Sequence, residues 1–201
     1  MEISTFELLL APQIPPDLAP GLGNIIRTTL QGYFLQISNL SEYKVKLELE
    51  FVAFSPIIPL EPEKAPIENS TLAFFDIDGT NPLKTLNRKG DKKVIVELDI
   101  KAHDTGLFIL QPNPALLPAG PPAETVYEVR GYVNIHLKSP GSAKLLLTPE
   151  QRGTLFKDPA DGDPQLSQVI YSLPTATGGA LYSLNSKNGE GGEGDEGGEG
   201  G

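Results

Sequence analysis

Asp76 and Asp78 stand two residues apart at the end of an apolar run, in Phe74-Phe75-Asp76-Ile77-Asp78-Gly79-Thr80. Two carboxylates at i and i+2 where a strand ends lie close enough to share a divalent cation, which would suit Mg²⁺-assisted chemistry. A calcium loop of the helix–loop–helix type needs a bidentate Glu at its twelfth position; here that position is Asn87, and the flanks are not helical. Asp158, Asp161 and Asp163 sit in a proline-bounded turn, where acidic side chains serve local turn chemistry more often than a cation. His103 and His136 are the only histidines. Each falls on the polar side of its segment and would need partners from distant strands to act as a base or a metal ligand. The chain has no cysteine, which removes disulfides, thiolate catalysis and cysteine-held metals. Gly-x-Ser-x-Gly, His-Glu-x-x-His and phosphate-binding glycine loops are absent as well.

The Asp76-Ile77-Asp78-Gly79-Thr80 string resembles the first motif of the haloacid dehalogenase superfamily of phosphotransferases. The resemblance implies Asp76 as the phosphoryl-accepting nucleophile, Asp78 as the general acid/base, and Mg²⁺ between them. It also implies an α/β fold with the motif after the first strand. The match covers seven residues. A long β-like stretch precedes it, Asn81-Pro82 follows it in place of a long helix, and no late acidic motif has the right setting. The favoured reading is a core strand at Leu72–Ile77 followed by a turn, with no catalytic residue, cofactor or metal assigned.

A second group with chemical potential is the outward side of Tyr127–Leu137: Glu128, Arg130, Tyr132, Asn134 and His136. Aromatic and arginine side chains are enriched at protein interfaces, and an aromatic ring beside amides also suits a sugar. Phe54 adds an outward aromatic at the end of the Tyr43–Phe54 segment, beside the prolines of Pro56–Pro62. The ligand-face candidates are therefore Phe54, Arg130, Tyr132, Asn134 and His136.

Strands must position these groups. In Tyr43–Phe54, Val45, Leu47, Leu49, Phe51 and Ala53 alternate with Lys44, Lys46, Glu48 and Glu50. Lys93–His103 and Tyr127–Leu137 alternate in the same way. A period of two means one face in a core and the other in water. Asn39-Leu40-Ser41-Glu42 reads as a turn, so residues 32–54 are expected to form one antiparallel hairpin. Shorter strands are expected at Phe6–Leu10, Leu72–Ile77, Leu107–Leu110, Lys144–Thr148, Thr154–Phe156, Gln168–Leu173 and Ala180–Leu184. Pro56, Pro59 and Pro62 recur every third residue and predict a polyproline II connection; Gln111–Ala123 is a second proline-rich loop. With 19 prolines and 21 glycines there is little room for a long helix. The expected fold is an all-β antiparallel sandwich of about eight to ten short strands. It should occupy residues 1–184, with 185–201 a disordered acidic Gly/Glu tail.

Net charge is −10, of which Glu190, Glu193, Asp195, Glu196 and Glu199 carry five, leaving −5 on the rest. Such a body repels nucleic acid and anionic membranes. No apolar stretch approaches the ~20 residues of a membrane span, and no signal sequence is visible, so the expected location is cytoplasmic. The leading functional expectation is a non-enzymatic binding or assembly module, working through a protein partner or homo-oligomerisation, with a dimer the simplest case. The alternatives are a Mg²⁺-dependent phosphatase at Asp76 and Asp78, and a carbohydrate-binding module on the Arg130–His136 face.

Overall fold

The computed structural model describes residues 1–14, 18, 21, 26–58, 67–117, 125–157 and 165–186. Eleven strands run through them: β1 (Glu2–Pro12), β2 (Thr28–Asn39), β3 (Val45–Ile58), β4 (Thr71–Asp76), β5 (Asn87–Arg88), β6 (Lys93–Ile100), β7 (Thr105–Pro112), β8 (Tyr127–Leu137), β9 (Ser142–Phe156), β10 (Ser167–Ser172) and β11 (Leu181–Asn185). The helical elements described in full are the single turn α1 (Ile67–Ser70) and a 3₁₀ turn at Pro114–Leu116. The all-β antiparallel expectation holds. All the strands belong to one hydrogen-bonded sheet with the path β10-β9-β2-β1-β8-β3-β6-β5, to which β11 adds beside β9, β7 beside β2, and β4 beside β7.

The sheet curls because β2 changes neighbour along its length. Its first residues pair with β1 (Gln31 opposite Leu9) and its later ones with β7 (Tyr33 opposite Leu110). Gly32 occupies the switch: a Cβ there would lie 2.8 Å from the Leu110 carbonyl oxygen and from the Gln111 Cβ, so a side chain would block the exchange. One wing then carries β8, β3 and β6, and the other carries β7, β2 and β9. The wings meet at Phe51 of β3, whose ring stacks on Phe108 of β7 at 5.6 Å and meets Phe6 and Tyr33 edge-on at 5.4 and 5.8 Å. These strands are not all hydrogen-bonded neighbours, so the contacts are face to face, as edge-on and offset aromatic pairs favour. Around them the inward sets of the three long alternating segments, from Val45 to Leu137, form the core.

Several expectations are corrected. Residues 32–54 are not a hairpin: β2 pairs with β1, β7 and β9, whereas β3 pairs with β6 and β8. The turn at 39–42 is instead a crossing between wings. It is fixed by the buried Asn39 amide, which donates to the carbonyls of Tyr43 (2.8 Å) and Lys101 (2.9 Å). Lys144–Thr148 and Thr154–Phe156 are parts of the single strand β9, which runs straight through Pro149. The Pro149 carbonyl accepts from Leu173, so its missing N–H points to the same side, where β10 ends, and no bond to β2 is lost. β6 stops at Ile100, and His103 lies beyond it at φ +55 in the turn to β7, bonded to Glu42 at 2.9 Å. Of the Pro56–Pro62 segment, Pro56–Ile58 belong to β3, and residues 59–62 lie outside the described residues. So do the Asp158–Pro164 turn and residues 187–201 of the acidic tail. β11 runs one residue past the expected boundary at 184, to Asn185.

Candidate functional site

β3 and β8 lie side by side in register, with Glu48 opposite His136, Glu50 opposite Asn134 and Val52 opposite Tyr132. Cross-strand partners share a face, so the outward residues of both strands form one surface. Four of the five candidates, Phe54, Tyr132, Asn134 and His136, fall on that surface. Alternation predicts that it is wet throughout, and this is corrected by Glu48 and Glu50, which are only 5 % and 7 % exposed.

A ring of cations explains how two carboxylates survive there. The hairpin from β5 into β6 brings Lys89 to 3.7 Å from Glu48 and 3.9 Å from Glu50, and Lys93 to 3.6 Å from Glu50. Lys138, just past β8, reaches Glu48 at 3.3 Å, and Asn134 donates to Glu50 at 3.1 Å. Every carboxylate oxygen of the pair thus faces a cation, as buried charge requires. Burial raises the Glu50 carboxyl, but the Asn134 bond, then Lys93, Lys89 and His136, outweigh it and hold it below its ordinary value. Glu97, opposite Glu48 on β6, is taken up separately by Lys46 at 2.7 Å. Sequence reasoning passed over this cluster. The basic run Arg88–Lys93 facing an acidic pair was its one visible trace.

At the end of this floor, Phe54 and Tyr132 pack ring against ring, centroids 5.6 Å apart and tilted by 32°. Phe54 remains 56 % exposed. Val52, which shares their outward parity, is buried. Arg130, the fifth candidate, turns toward β1: its Nε donates to Glu7 at 2.5 Å and its Nη2 meets Glu128 at 2.5 Å. Glu7 also accepts from Gln31 at 2.6 Å. The structure therefore brings Phe54 and Tyr132 together as an open pair. It commits Asn134 to Glu50 and Arg130 to two carboxylates, and sets His136 in the field of Glu50.

No known protein family, curated protein or solved structure matches this chain.

Asp76 is the last residue of β4, one short of the expected strand end at Ile77, and Asp78 lies in the turn that follows. Asp76 accepts from the backbone of Gly79 (2.7 Å) and Asn81 (3.3 Å), and Asp78 from the backbone (3.2 Å) and hydroxyl (2.7 Å) of Thr80. Those Thr80 bonds hold the Asp78 carboxyl below its ordinary value. Gly79 and Asn81 take left-handed backbone, at φ +86 and +48, as such turns demand. The surroundings are β throughout, not the α/β frame that the resemblance implies. Among the described residues, no group of three His, Cys, Asp or Glu side chains is gathered for a metal, and no helix is long and apolar enough to cross a membrane.

Proposed function

We propose that the chain is a non-enzymatic β module that acts through protein–protein contact, with Phe54 and Tyr132 at the contact. The carrying observation is the Phe54–Tyr132 pair, an exposed ring tilted against a half-buried one, on a face whose buried carboxylates are held by half-exposed lysines. Aromatic side chains held in place lose little entropy on binding and supply large apolar area, which is why they serve as anchors. The sugar-binding alternative loses support because the Asn134 amide is engaged by Glu50. The phosphatase alternative loses support because both aspartates are spent on the turn.

The test is capture with the tagged full chain against the Phe54→Ser/Tyr132→Ser double variant. The reading expects a protein, or an untagged copy of this chain, that the wild type retains and the double variant loses. Identical retention by both would overturn it.

A further inference from the structure

β10 ends the sheet and pairs, among the described residues, only with β9. All six of its residues, Ser167–Ser172, are exposed, with Val169 at 50 %, Ile170 at 56 % and Tyr171 at 45 %. Its register with β9 sets Ile170 on the outer face with Arg152, and Val169 and Tyr171 on the core face with Gly153 and Gln151. Apolar side chains therefore stand open on both faces of one strand.

The backbone of this strand is equally unfinished. Leu173 donates to the Pro149 carbonyl at 2.9 Å, toward β9. Antiparallel alternation then turns Val169 and Tyr171 toward β9, and the N–H and C=O groups of Gln168, Ile170 and Ser172 toward the open side. Such a row is a template for another strand, and sheets ordinarily guard it with charge, proline, shortness or a covering segment. Two other edges, β5 and β4, show those guards, whereas β11, which among the described residues also pairs only with β9, is the shorter strand and likewise lacks charge and proline. β5 is two residues long and flanked by Lys89, Asp91, Lys92 and Lys93. β4 is covered by the 82–84 segment, where Phe75 donates to Pro82 and Lys84 donates to Ala73. Ser-Gln-Val-Ile-Tyr-Ser has neither charge nor proline.

We infer that β10 is a self-association edge, and that its occupant is β10 of a second copy, antiparallel about a two-fold axis with Ile170 opposite Ile170. A two-fold perpendicular to a sheet sets one residue opposite itself. Ile170 is the middle of the three outward-facing residues, so this register also sets Gln168 opposite Ser172 at both ends and leaves none of the three without a partner. Val169 then lies opposite Tyr171, a β-branched–aromatic pair of the favoured kind. No uncompensated charge is brought together, because Arg152 and Glu150 on the next strand already pair at 2.8 Å. Six residues a side cover far less than the ~1,600 Å² of a standard interface, which places this contact among weak, concentration-dependent associations. Two bodies of like charge repel, so salt strengthens it. This edge is separate from the Phe54–Tyr132 pair, and the inference stands whether or not that pair binds a partner.

Amide hydrogen exchange on the wild-type chain tests it. Protection at Gln168, Ile170 and Ser172 should rise as protein is raised roughly a hundredfold through the micromolar range, while Val169 and Tyr171 stay protected throughout. Because the chain has no cysteine, Ile170→Cys adds a single thiol at the two-fold. It should form a disulfide-linked dimer roughly ten times faster than Leu83→Cys, an exposed control elsewhere. Concentration-independent exchange at those three amides, or equal cross-linking of the two variants, would overturn the assignment.

Discussion

Asn134 donates its side-chain amide to Glu50 across the β3–β8 pair at 3.1 Å. That bond joins two outward-facing residues on neighbouring strands, and Lys89, in the turn after β5, and Lys93, at the start of β6, close over the same carboxylate. Three segments far apart in sequence are thereby fixed on the face where Phe54 and Tyr132 stand.

Glu50 should make stability sensitive to acid. Its folded-state carboxyl sits below the ordinary value, which is about 4.3 for an unfolded chain. The contribution is therefore complete above about pH 4.3 and is lost as pH falls through the lower folded value. Glu50→Gln is expected to flatten the fall in Tm between about pH 5 and 3. At pH 7, Glu50→Ala should cost about 1 kcal/mol in denaturant titration, because it leaves the part-buried Asn134 amide without its acceptor while the half-exposed Lys89 and Lys93 turn to water.

Asp76 and Asp78 are expected to matter for the turn and not for turnover. Asp76→Ala should cost about 1 kcal/mol through the lost bonds to Gly79 and Asn81. Purified protein with Mg²⁺ should release no phosphate from simple monoesters above background. Release that Asp76→Asn abolishes with the fold intact would reinstate the phosphatase alternative.

How far the chain could be read from its letters follows the range of the interactions involved. β8 was legible to the residue, from Tyr127 to Leu137, because alternation is a local signal. The fate of the 39–42 turn was not legible, because a turn signal says that the chain reverses and not which strand it joins. That choice rests on Asn39 reaching Lys101. Burial of Glu48 and Glu50 was hidden for the same reason: their lysines arrive from residues 89, 93 and 138. Among the candidates, parity turns Phe54 and Tyr132 outward, but only the register of β3 with β8 brings them together. Arg130 was drawn away by Glu7, a partner 123 residues distant.

Gly131 should tolerate no side chain. A Cβ there would fall 1.9 Å from the Val52 carbonyl oxygen, where β3 bulges past β8. Gly131→Ala is expected to cost about 3 kcal/mol or more, since the obstacle is backbone that cannot rotate aside. Gly153→Ala, whose nearest neighbour would be Gln31 Oε1 at 3.8 Å, should cost less than about 1 kcal/mol in the same thermal melts.

The central claim, that this chain works through contacts made by its open apolar surfaces, is tested most directly by light scattering on a size-exclusion column across a concentration series. Wild type, Ile170→Lys and Phe54→Ser/Tyr132→Ser are compared at low and high salt. The wild-type mass should rise from 21.6 kDa toward twice that value with concentration, and more readily in salt. Ile170→Lys should hold it at the single-chain mass. The double variant should still pair through β10 but no longer retain whatever the Phe54–Tyr132 face binds. A wild-type mass of 21.6 kDa at every concentration, together with capture unchanged by the double variant, would contradict the account.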